Sequence, residues 1–99
     1  MTGKQRAYLR GLANSIPAKY QLGKNGLDNS FINQIREALE ANELIKVSVL
    51  ENSMEDPYEI CQKLCDMISA EPVQVIGSKF IIYKESREKK KIQLPRAGK

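Results

Sequence analysis

Three observations predict an α/β domain of two layers, with a mixed four-stranded sheet, from this 99-residue sequence. Apolar residues recur at helical spacing in three segments and alternate at period two between them, so helices and strands take turns along the chain. The last two strand-like runs meet at Gly77 and Ser78, a pair suited to a tight hairpin turn. The chain is 41% hydrophobic, which at this length suits one core and one domain.

The first element is a helix, because "GKQRAYLRGLAN" sets Tyr8, Leu9, Leu12 and Ala13 at helical spacing with Lys4, Arg6 and Arg10 elsewhere around the cylinder. Ser15 and Pro17 stop it. "AKYQL" then alternates as a first strand, with Tyr20 and Leu22 on one side and Lys19 and Gln21 on the other. After a loop, Asp28 or Asn29 caps a second helix carrying Phe31, Ile32, Ile35, Ala38 and Leu39, which ends near Asn42. "ELIKVSVLE" is a half-buried strand, with Ile45, Val47 and Val49 facing inward.

A polar connection leads to Pro57, which opens a third helix where its missing N–H costs nothing. That helix buries Ile60, Cys61, Leu64, Cys65 and Ile68. The hairpin follows in "VQVIGSKFIIYKE". The domain is expected to close at residue 84, leaving 85–99 as a loosely held basic tail on which Ile92 and Leu94 have the means to dock. Helices two and three cross between strands and share one face of the sheet, while polar positions such as Lys46, Ser48 and Gln74 leave the other face open. Spacing alone admits several strand orders.

Charge is segregated. Residues 1–27 hold five bases and no acid, 28–72 hold ten acids and three bases, and 73–99 hold eight bases and two acids. Two basic ends around an acidic middle make a positive face if the fold brings the ends together, and a polyanion is the natural partner. Other classes lose ground. There is no histidine, the commonest acid/base group. Cys61 and Cys65 stand four apart among apolar neighbours, which reads as core rather than a redox or metal pair. No unbroken apolar run approaches the roughly 20 residues of a membrane span, and the N-terminus lacks the apolar stretch of an export signal. The expectation is a cytoplasmic, non-enzymatic protein with no cofactor, metal or small-molecule substrate and no membrane partner.

The stretch "QLGKNGLDNS" differs in kind from the rest. Glycine at 23 and 26 lets the chain turn and lets a ligand approach the backbone without a Cβ in the way. Behind them stands a helix N-terminus, with unpaired N–H groups and a positive dipole end. Lys24 adds a cation, and Asn25 an amide that tolerates a left-handed backbone. Such a loop suits a phosphodiester, as does the GXXG loop of KH domains. The spacing of a nucleotide-binding P-loop and of a dinucleotide fingerprint is absent.

Several separated segments, "MTGKQRAYLRGLA", "QLGKNGL", "IREALEANELIKVSVL", "PVQVIGSKFIIYKES" and "KKKIQLP", resemble in order the CRM domain family in its stand-alone bacterial, YhbY-like form. The resemblance spans nearly the whole chain. It implies an RNA-binding protein associated with precursors of the large ribosomal subunit, its partners being rRNA and the pre-ribosomal particle. It also implies a fold like the C-terminal domain of a bacterial translation initiation factor. Carried onto this sequence, the RNA-contacting loop falls on Gly23, Lys24, Asn25 and Gly26, and the basic helix on Lys4, Arg6 and Arg10. The tail lysines Lys89, Lys90 and Lys91 would add diffuse attraction. Tyr8, Tyr20, Phe31 and Phe80 read as core, so affinity is expected to lean on shape and backbone rather than base stacking. The rival reading is an adaptor that meets ribosomal proteins through its acidic helices, with RNA contact incidental.

Overall fold

The computed structural model describes residues 1–96. Helix α1 (Gly3–Ala13) leads to β1 (Tyr20–Leu22), α2 (Asn29–Asn42) and β2 (Leu44–Val49). A 3₁₀ turn (Glu51–Ser53) precedes α3 (Pro57–Ile68) and the hairpin of β3 (Glu71–Ile76) and β4 (Lys79–Tyr83). This is the order the periodicities predict. The strands lie in the order β1-β2-β4-β3. β1 runs parallel to β2, while β4 runs antiparallel to both β2 and β3, so the sheet is mixed.

Local chemistry fixes the boundaries. Thr2 Oγ1 accepts from the Gln5 N–H and the Gln5 side chain accepts from the Thr2 N–H, a capping box at the start of α1. Thr2→Ala is expected to cost about 1 kcal/mol, lowering the melting temperature by roughly 4–8 °C in a thermal melt. Asp28 caps α2 through the Phe31 N–H at 2.8 Å, and Asp56 caps α3, with Pro57 in its first turn. Gly77 turns the hairpin at φ 57, a conformation that needs no Cβ. Pro72 lies on the edge strand, where its missing N–H breaks no interior ladder.

Helices α2 and α3 pack on one face of the sheet. There Ile35, Leu39, Leu64 and Ile68 meet Leu22, Val47, Phe80 and Ile82 in the main core. Cys61 and Cys65 are buried in this cluster, as their apolar neighbours predict.

The other face is not open as expected, and α1 adds a third layer to the predicted two. Leu9 and Ala13 of α1 are buried against Leu44, Val73, Ile81 and Tyr83, with Leu12, Ile16, Ile92 and Leu94 packed around them. The physical reason is that Leu44, Val73, Ile81 and Tyr83 make half of this face apolar, an area that needs a cover. Near the β3–β4 hairpin the same face is polar apart from the exposed Ile76, since the register sets Gln21 beside Ser48, Ser48 beside Lys79 and Lys79 beside Ile76.

The segment after residue 84 is held rather than loose. Glu43 is fully buried, and its carboxylate accepts from the N–H groups of Ser86, Lys91 and Ile92 at 2.7–2.8 Å. Glu40 accepts from Ser86 Oγ at 2.7 Å and from the Glu88 N–H at 3.2 Å. Gln5 closes the far end by donating to the Pro95 carbonyl. Of the expected tail, 97–99 lie outside the described residues.

Candidate nucleic-acid interface

The Gly23–Gly26 loop closes on itself, with the Gly26 N–H donating to the Gly23 carbonyl at 3.1 Å. Its left-handed residue is Gly26, at φ 62, where any side chain would be strained. Neither Gly23 nor Asn25 takes the left-handed conformation that the sequence allows them. A Cβ at Gly23 would make only ordinary contact with Asn52 and Leu50. Lys24 and Asn25 are exposed and, with Gly23, Ser30, Phe31 and Gln34, line a shallow concavity of about 190 Å³.

The N–H groups of Lys24 and Asn25 in the loop, and of Asn29 and Ser30 in the first turn of α2, have no protein acceptor among the described residues. The next two N–H groups of α2 are taken, Phe31 by the Asp28 carboxylate and Ile32 by the Asp28 carbonyl. Unpaired N–H groups at a helix start, beside an exposed lysine, are the kind of arrangement that favours an anion. Two carboxylates bound it, Asp28 at the cap and Glu55, whose Oε2 lies 3.7 Å from where a Gly26 Cβ would sit. The Lys24 and Asn25 side of the loop is the one that lies away from Glu55 and carries the positive charge.

The structure does not bring the α1 bases to this loop. Arg6 Nε donates to the Pro72 carbonyl at 3.2 Å, on the opposite edge strand and at the opposite end of the sheet. Three strand spacings and about five residues of strand separate Pro72 from the loop, roughly 20 Å. Arg6 and Arg10 are half-buried and Lys4 is exposed. Lys79 was missed by the sequence reading. It stands at the same end of the sheet as the loop, opposite Ser48, and only the strand register could have placed it there.

The aromatic residues divide differently from expectation. Phe31, Phe80 and Tyr83 are buried and Tyr20 is partly so, but Tyr8 is 43% exposed and Tyr58 60%. Tyr8 lies one residue, hence about 100°, from the buried Leu9 and shares the solvent side of α1 with Lys4. Cys61 and Cys65 lie in the main core. Both are buried, and the Cys65 thiol is pushed well up, first by its hydrogen bond with Cys61 and then by burial. Among the described residues no group of three or more His, Cys, Asp or Glu is arranged to hold a metal, and no helix is long and apolar enough to cross a membrane.

An α/β domain with a Gly-x-x-Gly loop leading into a helix N-terminus is the class that this fold and site define. The CRS1 / YhbY (CRM) domain matches residues 1–84, and the chain belongs to that family. It is 46% identical over 95 residues to the probable RNA-binding protein YqeI of Bacillus subtilis, covering 96% of this chain and 99% of that one. It is 38% identical over 96 residues to an RNA-binding protein of Haemophilus influenzae, covering 97% and 96% of the two chains. The solution structure of the hypothetical protein SAV1595 from Staphylococcus aureus superposes with a TM-score of 0.80 at 48% identity, over 96% of this chain and 99% of that one.

Proposed function

We propose that this protein binds RNA of the large ribosomal subunit or its precursor in the cytoplasm and assists ribosome maturation, gripping the phosphate backbone with the Gly23–Gly26 loop. The observation that carries this reading is the set of four unpaired N–H groups at Lys24, Asn25, Asn29 and Ser30 beside the Lys24 ammonium. Full-length relatives named as RNA-binding proteins support RNA as the polyanion. In this reading residues 1–84 are the RNA-binding domain proper and 85–99 a basic extension of it. Lys4, Arg6 and Arg10 meet phosphates roughly 20 Å from the loop rather than adjacent ones. The adaptor reading loses support from two carboxylates of the acidic middle, since Glu40 and Glu43 are engaged by the chain's own backbone.

The test is titration of a large-subunit rRNA fragment across a salt series with wild type and with K24D/N25D. Both substituted residues are exposed, so the fold should melt unchanged. About five neutralised phosphates give a wild-type slope of log K against log salt near −3.5. The variant is expected to bind at least about tenfold more weakly at 100 mM salt, with a slope shallower by about 0.7. Equal binding by both proteins would reduce the loop to a turn.

A further inference from the structure

A groove of about 380 Å³ lies on the α1 side of the sheet, between the C-terminal end of α1, the start of β2 and residues 91–92. Its walls are largely apolar, built by Leu12, Ile16, Pro17, Tyr20, Leu44 and Ile92. Three lysines, Lys19, Lys46 and Lys91, line it, and no carboxylate does. Ser15 and Asn42 add polar groups. An apolar slot with lysines and a few hydrogen-bonding groups matches an unpaired nucleotide, whose base is flat and largely apolar on its faces and whose phosphate is anionic. The volume falls within the range of about 300–1,000 Å³ typical of small-ligand sites.

Position adds a second argument. Lys19 precedes Gly23 by four residues, about 13 Å along an extended chain. Between them the sheet face presents Gln21 and Ser48 side by side, with Lys79 next in the same row. The groove therefore lies between the Gly23–Gly26 loop and α1, on a route that meets lysines and uncharged polar groups. The outer wall is chain that the buried Glu43 carboxylate holds in place through the Lys91 and Ile92 N–H groups.

We infer that this groove is a second RNA contact, which seats one unpaired base against Ile16, Pro17 and Ile92 and neutralises the flanking phosphates with Lys19, Lys46 and Lys91. The inference rests on the RNA-binding reading above and extends it from a backbone grip at the loop to a base contact on the opposite side of the sheet from α2. Stacking on apolar walls that are mostly aliphatic, with Tyr20 the aromatic residue among the lining, tolerates any base, so the contact selects single-stranded over paired RNA.

The experiment uses the full chain with isotope-labelled isoleucine and leucine methyls, titrated with a mixed-sequence single-stranded RNA of eight nucleotides and, separately, with an acidic octapeptide. Salt-dependent affinities are measured in parallel for wild type and K19A/K46A/K91A. The RNA is expected to shift the Ile16, Leu12 and Ile92 methyls by ring current. The triple variant should melt normally, bind about tenfold more weakly at 100 mM salt, and show a slope shallower by about 2, or 0.7 for each lost phosphate contact. If the RNA binds and moves loop resonances while the groove methyls stay still, the groove inference fails and the loop reading stands. Groove methyls that answer the acidic peptide and not the RNA also overturn it, in favour of a protein segment. Absence of RNA binding by the wild type would sink both readings together.

Discussion

Replacing Glu43 with alanine is expected to free residues 85–96 from the domain and to cost about 2–3 kcal/mol of stability, or roughly 10–20 °C in melting temperature. The carboxylate is the fixed point of that segment, accepting from Ser86, Lys91 and Ile92. Its backbone completes the joint, since the Glu43 N–H donates to Leu39 and its carbonyl accepts from Lys84. Hydrogen bonds to a charged acceptor are stronger than neutral ones, but the released N–H groups regain water, which keeps the net loss below the sum of three. Glu43 also sits at φ 67, which alanine tolerates no better than glutamate. Glu43→Gly relieves that strain while losing the same three bonds, so it should be milder than the alanine by about 1 kcal/mol. Thermal melts rank the two, and amide hydrogen exchange at Ser86, Lys91 and Ile92 reports the release directly. Unchanged exchange in Glu43→Ala would show that Ile92 and Leu94 hold the segment without the carboxylate.

The same joint gives stability a pH dependence of known sign. Burial works against the charge of Glu43, but the three backbone N–H groups outweigh it and hold its pKa below the usual carboxylate value. Glu40 is lowered too, first by the Ser86 hydroxyl and then by the Glu88 N–H. A depressed carboxylate stabilises the fold above its unfolded pKa, and that contribution is lost as pH falls through the folded value. Residues 85–96 are therefore held firmly at neutral pH and loosen below about pH 4. Glu43→Gln, which cannot titrate and meets one donor with its own NH₂, should flatten this acid limb.

How much was legible in the sequence follows from which interactions are local. The alternation in β2, the stripe of α3 and the Asp28 cap are decided within a few residues, and the structure places them where the periodicities do. The second layer of cover was not legible in this way. "ELIKVSVLE" shows a polar position at every second residue from Lys46, which hides that Leu44 begins the same face and that Ile81 continues it across the register. The part played by Glu43 has no mark in the sequence, because its partners, the backbone N–H groups of Ser86, Lys91 and Ile92, lie more than forty residues away and carry no side-chain signature. The capping box at Thr2 was the opposite case, since Thr-x-x-Gln stands plainly in the sequence and was available to the reading. For the candidate interface, the loop is a contiguous motif, whereas Lys79 and the groove lysines become neighbours only through strand pairing and chain packing.

The largest single loss is expected at Phe80. It is fully buried on β4, a central strand, where it stands opposite Val47 of β2 and Val75 of β3 and packs into the core beneath α2 and α3. Phe80→Ala removes most of that side chain from a site enclosed by three elements that cannot all collapse inward, so the loss combines transfer and cavity terms at about 3–5 kcal/mol. Against a total of about 5–15 kcal/mol for a domain, this removes roughly a third or more of a mid-range margin, and at the low end of the range it leaves a sizeable unfolded fraction at 37 °C. Phe80→Leu keeps much of the volume and should cost no more than about 1.5 kcal/mol. The pair also separates scaffold from contact. Phe80 has no exposed surface with which to meet RNA, yet it sits on the strand that carries Lys79. RNA affinity in Phe80→Ala should therefore fall only in proportion to the folded fraction measured by circular dichroism at the same temperature, with an unchanged salt slope. K24D/N25D should instead lose affinity while fully folded. A Phe80→Ala protein that stays folded but binds with a shallower salt slope would mean that the core holds the interface in shape beyond merely keeping it folded.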